Sequence, residues 1–222
     1  RDQTHTPVRI FGMRYRVDLE GGPYNSEVLV HSIDKLCDEV EAFARESGGI
    51  AIISDRHVES VRAPMPLTIV VSAINQRLIE EGLRLRVSLI AESGQLASSH
   101  HIATVLGFGA SAVYPLTVQM RAEEKFGPDE QSVAAAYKRF AKAAEKSLMK
   151  TMGRVGLCTV ESYIGGEFFE PNYLDTAGPV LRKYFPNVTA VVGGVGFRTL
   201  SDTSAEWHAR ALQVETEKDV PL

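Results

Sequence analysis

Gly49-Ile50-Ala51-Ile52-Ile53-Ser54-Asp55-Arg56, a helix from Pro66 to Glu81, and Leu85-Arg86-Val87-Ser88-Leu89-Ile90-Ala91-Glu92 form the stretch that decides the fold. Two short runs that are apolar on both faces, spaced by an amphipathic helix, have the pattern of parallel strands buried between helices. Both runs end in polar residues. Parallel α/β folds bind ligands beyond the carboxyl ends of their strands, so any chemistry is expected on that rim.

The same unit repeats outward from this stretch. On the N-terminal side, Val8 to Val17 alternates as one strand, Gly21-Gly22-Pro23 ends it, and Ser26 to Ser47 is a helix stopped by Gly48-Gly49. Ala63-Pro64-Met65-Pro66 sets the entry to the next helix, whose buried stripe is Leu67, Val70, Val71, Ile74 and Leu78. On the C-terminal side, Ser98 or Ser99 caps a helix to Leu106, and Ala110 to Tyr114 is a strand. Gly127-Pro128-Asp129-Glu130 opens the longest helix, with proline in the first turn and Val133, Tyr137, Phe140, Ala144 and Leu148 on the buried side. Strands are expected at Leu157 to Val160 and Val188 to Val192. Short helices are expected at Ser162 to Phe169 and Pro179 to Tyr184, and a last helix at Thr203 to Leu212.

About six strands joined by helices give an α/β fold of mostly parallel βα repeats. A closed eight-fold barrel takes about 250 residues, so the expectation is an incomplete TIM-barrel-like arrangement or an open twisted sheet with an uncovered edge. Residues 1–212 make one domain and 213–222 a charged tail or linker.

Composition narrows the function. The chain has 222 residues, 44% hydrophobic and 23% charged, which suits one globular domain with a sizeable core. A net charge of -4 gives no overall attraction to nucleic acid or to an acidic membrane. No apolar run reaches the ~20 residues that cross a bilayer, and no signal-peptide core is present. Cys37 and Cys158, each in an apolar run, read as two buried, reduced thiols in a cytoplasmic protein. The start at Arg1 without methionine points to a processed product or a domain of something longer.

The rim candidates are Ser54, Asp55 and Arg56, then Glu92 and Ser93, Tyr114, and Glu161 with Ser162 and Tyr163. If their strands are parallel neighbours, these supply carboxylates, a guanidinium and hydroxyls for acid–base work or a polar ligand. The competing reading makes Asp55 and Arg56 caps or local ion-pair partners. His100 and His101 are adjacent on a helix and point about 100° apart, so one metal ion is a poor fit to both; one packed and one exposed histidine is the plainer expectation. Gly193-Gly194-Val195-Gly196 follows an expected strand and offers backbone N–H groups to a phosphate, or else makes a tight turn. Lys138, Lys142, Lys146 and Lys150 fall at i, i+4 steps, forming a solvated stripe or a docking face for an acidic partner.

Several stretches together carry a family resemblance. They include Ile52-Ile53-Ser54-Asp55-Arg56, Ala63-Pro64-Met65-Pro66, Glu80-Glu81-Gly82-Leu83-Arg84, Glu92-Ser93-Gly94, His100-His101, Gly107-Phe108-Gly109-Ala110, Lys150-Thr151-Met152-Gly153 and Ser162-Tyr163-Ile164-Gly165-Gly166-Glu167-Phe168-Phe169-Glu170. In order and wording the chain resembles the central domain of glutamate synthase. The resemblance implies a non-catalytic domain between a glutamine amidotransferase domain and an FMN-binding domain, helping to form the tunnel that carries ammonia to the flavin site. It also implies FMN and an iron–sulfur cluster in a neighbouring domain and no cofactor in this chain. Asn75-Gln76-Arg77 stands where the family commonly carries histidines, and Gln95 to Ser99 is less charged than the family's segment. Two other readings stay open: an independent phosphate- or FMN-binding βα enzyme using Gly193-Gly194, and an interaction module using the lysine stripe. The uncovered sheet edge leaves room for a homo-oligomer of the isolated chain.

Overall fold

The computed structural model describes residues 5–18 and 23–214. Gly21 and Gly22, and 215–222 of the expected tail, lie outside them. In chain order the elements are β1 (Val8–Gly12), β2 (Arg14–Arg16), α1 (Pro23–Glu46), β3 (Gly49–Ser54), β4 (Arg62–Pro64), α2 (Leu67–Glu80), β5 (Val87–Ser93), α3 (Ser99–Gly107) and β6 (Ala112–Pro115). They continue with α4 (Leu116–Phe126), α5 (Glu130–Val155), α6 (Val160–Tyr163), β7 (Tyr173–Leu174), α7 (Pro179–Tyr184), β8 (Gly194–Val195) and α8 (Phe197–Ala211).

The main sheet is four parallel strands in the order β1-β3-β5-β6. Each later strand is added on the same side, which with right-handed crossovers puts α1, α2 and α3 on one face. That is the winding of a βα barrel stopped partway. The sheet is open, and the α/β expectation holds.

Register explains which face is buried. Phe11, Ile53 and Ala91 lie in one cross-strand row and are buried beneath the helices. The alternate row, Ile10, Ile52, Ile90 and Ala112, faces the other way. Ile10 is 67% exposed and Val8 57%. The β1 strand is therefore a sheet edge with an apolar, uncovered face among the described residues, whereas the helix α5 lies along β6 through Tyr137, Phe140 and Ala144.

The helix α2 is the centre of the core. Its five stripe residues are buried, and so are Ile69, Ser72, Ala73, Asn75 and Gln76, because α1, α3 and α7 surround it. Lys183 and the Tyr184 hydroxyl both reach Asp34 of α1, and Ser72 donates to the Tyr184 carbonyl at 2.6 Å, which fixes α7 over this layer.

Several expectations need correction. Val8 to Val17 is two strands in two sheets, because at Met13 the chain leaves β3 and pairs β2 antiparallel with β4. The segment Leu85 begins is not strand: Arg84–Arg86 is a single 3-10 turn with Leu85 fully exposed, and pairing starts at Val87. Leu157 to Val160 and Val188 to Val192 are not strands; Val191 and Val192 are 80% and 84% exposed, and none of these residues pairs in a sheet with the described residues. Asp129, not proline, caps α5, accepting from Gln131 and Ser132 N–H, so Pro128 sits one residue before the cap. The expected buried side of α5 is only half-buried, with Met152 its one buried residue. Cys37 is buried, its thiol pushed up to about 12 by burial, whereas Cys158 is exposed.

Candidate functional site

The carboxyl ends of β3, β5 and β6 place Ser54, Glu92 and Tyr114 in one cross-strand row. Asp55 follows directly, 5% exposed, and its N–H continues the sheet by donating to the Glu92 carbonyl. Its carboxylate is fully engaged. Oδ2 accepts from the Ser93 hydroxyl at 2.5 Å and the Gln95 amide at 3.3 Å, and Oδ1 accepts from the Gly94 N–H at 3.0 Å.

Gln95 extends this network to the next helix. Its Nε2 also donates to the Met65 carbonyl at 2.8 Å, and its Oε1 accepts the Leu67 N–H at 3.0 Å. The residue at the cap position of α2 is Pro66, which has no side-chain acceptor, so Gln95 supplies the cap from another loop. One carboxylate thus ties the end of β3 to the loop after β5 and, through Gln95, to the start of α2. Arg56 donates from Nε to Glu92 Oε1 at 2.7 Å, and the Ser54 hydroxyl accepts the Arg56 N–H at 3.1 Å. The competing reading of these residues, caps and local ion pairs, describes what each one touches.

The other sequence candidates lie apart from this row. With no strand at Leu157 to Val160, Glu161 and Ser162 sit exposed on the short helix α6, and the Ser162 hydroxyl lies 2.9 Å from that of Thr159. Tyr163 turns inward and donates to the Ala103 carbonyl of α3 at 3.0 Å. His100 and His101 are both exposed in the first turn of α3, so neither is the packed histidine that was expected. Gly193 and Gly194 take φ of 74° and 150°, and a Cβ on Gly194 would lie 2.3 Å from the Tyr173 carbonyl, so β7 pairing requires glycine there. Lys138, Lys142, Lys146 and Lys150 are all exposed.

Sequence reasoning missed a second polar cluster. Arg84 donates to Asn75 Oδ1 at 2.6 Å, to the Val87 carbonyl at 2.6 Å and to the Gly109 carbonyl at 2.7 Å, and burial lowers its pKa. Beside it, Gln76 donates to the Glu167 carboxyl, whose pKa burial raises. Two adjacent amides, Asn75 and Gln76, within the long run of buried positions of α2 were the signal that could have found it.

Because folding raises the Glu167 pKa, the folded state holds that proton more tightly than the unfolded chain. Its contribution to stability is complete below the unfolded value and is lost as pH rises through the folded one. Glu167→Gln, neutral at every pH, is therefore expected to raise the urea midpoint at pH 8 and to leave it nearly unchanged at pH 4. Equal shifts at both pH values would rule out the ionised carboxyl as the cause.

Residues 1–174 match the family model described as the glutamate synthase central domain. The chain is 29% identical over 195 residues to the NADPH glutamate synthase large chain of Bacillus subtilis, covering 87% of this chain and 13% of that protein. It is 32% identical over 186 residues to the NADH glutamate synthase of Schizosaccharomyces pombe, covering 81% and 9%. It is 29% identical over 206 residues to the chloroplastic ferredoxin-dependent glutamate synthase of Oryza sativa subsp. japonica, covering 86% and 12%. The chain thus spans only 9% to 13% of the length of these relatives.

Proposed function

This chain belongs to the family of glutamate synthase central domains, and from that premise we propose that it is a non-catalytic scaffold within a glutamine:2-oxoglutarate amidotransferase. In this reading it links the glutaminase and FMN domains and helps to wall the path that ammonia takes between them. Neutral ammonia picks up a proton and diffuses away in open water, so the two sites need a protein-lined connection. A scaffold serves that need by shape and hydrogen bonding.

The observation that carries the reading is the closed rim. Parallel α/β folds hold their chemistry at the carboxyl ends of the strands, and there Asp55 is spent on Ser93, Gly94 and Gln95 while Glu92 is paired with Arg56. Carboxylates so engaged hold loops in place; a general base must be free to take a proton from substrate. The relatives' names specify NADPH, NADH and ferredoxin, yet identity to this segment stays between 29% and 32%, which supports a role that does not depend on the electron donor.

FMN and the iron–sulfur cluster fall in this reading to other domains. Iron–sulfur clusters are held chiefly by sets of cysteine thiolates, and the chain has two cysteines, one of them buried as a thiol. The open β1 edge, with Val8 and Ile10 exposed, is where a neighbouring domain would pack. The test is turnover, and glutamate formed per glutamine consumed, in a full synthase carrying Glu92→Gln in this segment.

A further inference from the structure

His100 and His101 face a cleft of about 770 Å³ between α3 and α8, with Trp207 on the α8 side and Val58, Leu67 and Val105 among its aliphatic walls. This volume falls in the range of about 300–1,000 Å³ typical of small-molecule sites. Gln95, in the loop after β5, also lines the cleft, so it opens at the carboxyl ends of the parallel strands. Trp207 is the chain's single tryptophan and is 69% exposed. Among the described residues, the lining contains no Asp, Glu, Lys or Arg.

Most polar groups in the lining are already committed. The Gln95 amide caps α2 and holds Asp55, and the Thr104 hydroxyl donates to the His100 carbonyl at 2.9 Å. His208 is 7% exposed, and its Nε2 lies 3.0 and 3.1 Å from the Glu59 and Ser60 carbonyls, which places the proton on that nitrogen and fixes the ring. The rings of His100 and His101 have no hydrogen bond to the described residues. Their centres are 6.4 Å apart with planes tilted by 56°. Tetrahedral ligation at about 2.1 Å would bring two ring centres to roughly 5 Å, so this pair does not frame a metal ion.

We propose that the cleft binds a small amphiphilic carboxylate, its flat apolar body against Trp207 and the aliphatic wall and its carboxylate between His100 and His101. The sign of the charge follows from the lining. An imidazole can take up a proton to match a bound anion but cannot supply negative charge to a bound cation, and among the described residues no carboxylate lines the cleft to do so. The apolar body supplies most of the contact area, and the imidazole pair selects the acid over a neutral analogue.

Trp207 is the reporter. In the 222-residue chain, 4-phenylbutyrate is expected to change tryptophan emission saturably, 4-phenylbutan-1-ol to bind at least about ten-fold more weakly, and butyrate to leave emission unchanged. Replacing both histidines, His100→Ala with His101→Ala, should bring the affinity for the acid down to that for the alcohol without altering the latter. Both side chains are exposed, and the packing given up is the edge-on contact of His100 with Phe169, ring centres 6.0 Å apart, so the urea midpoint of the double variant is read beside its binding. The proposal is overturned if the emission change is absent or does not saturate, if acid and alcohol bind equally, as to an unselective apolar surface, or if the double variant binds the acid as before.

Discussion

Asp55→Ala is expected to destabilise the chain by about 3–5 kcal/mol, read as a lower urea midpoint with an unchanged slope. The substitution leaves the Ser93 hydroxyl and the Gly94 N–H without their acceptor in a site where Asp55 itself is 5% exposed. A buried donor stripped of its acceptor costs about 1–3 kcal/mol, more where the lost partner was charged. Asp55→Asn, whose oxygen can still accept from Ser93 and Gln95 but whose amide then faces the Gly94 N–H, should lose about half as much. The damage also has a remote signature. Gln95 loses one of its two acceptors and holds the start of α2 less firmly, so amide exchange at Leu67 should quicken in Asp55→Ala. A carboxylate kept for chemistry behaves in the opposite way, since removing it commonly leaves stability unchanged or raises it.

Gly49→Ala should lower the melting temperature by about 10 °C, corresponding to roughly 3–4 kcal/mol in a domain of this size. Gly49 opens β3 with φ of 115°, and a Cβ there would stand 2.3 Å from the Pro7 carbonyl oxygen. That oxygen accepts the Ile50 N–H at 2.8 Å, the first bond tying the β1 end to β3. Relief of the clash requires opening the bond, so backbone strain of about 1–3 kcal/mol is joined by a lost hydrogen bond worth about 1. Gly82→Ala isolates the two contributions. Gly82 also has positive φ, 68°, but nothing lies within 4 Å of its added Cβ, so it should cost only about 1 kcal/mol. Equal losses in the two variants would show that the close approach to Pro7 has no energetic weight.

The parts of the fold legible in the sequence are those with a strong apolar period. The strands β3 and β5 and the helices α1, α2 and α3 carry their burial pattern in order, α5 is read as a helix although its apolar side is only half-buried, and Pro179 to Tyr184 is read with its bounds intact. The helix α4 escaped because only Leu116 and Ala122 of its eleven residues are buried, too few to set a period. Val188 to Val192 misled in the opposite direction. Its β-branched residues read as a strand, yet Val188 alone is buried, a single anchor packing beside Phe185. Strand identity requires a neighbour to pair with, and that is a fact of topology absent from local composition.

The rim was legible as a position but not as a role. Asp55 is visible at the end of an apolar run, while the groups that occupy it, Ser93, Gly94 and Gln95, lie 38 to 40 residues later. Glu161 was placed on the rim by a strand that does not form. The cleft beside α8 had no sequence signal at all, since His100 and Trp207 are more than a hundred residues apart and meet only because α8 packs back near β4.

The most direct measurement is the turnover of a full-length synthase carrying Glu92→Gln in this segment, with glutamate formed scored against glutamine consumed. A scaffold whose rim carboxylates only hold loops in place predicts turnover within about two-fold of the parent and an unchanged ratio. General acid–base groups contribute about 10²–10⁴-fold to rate, so a loss of a hundred-fold or more in a variant that still folds would contradict the account.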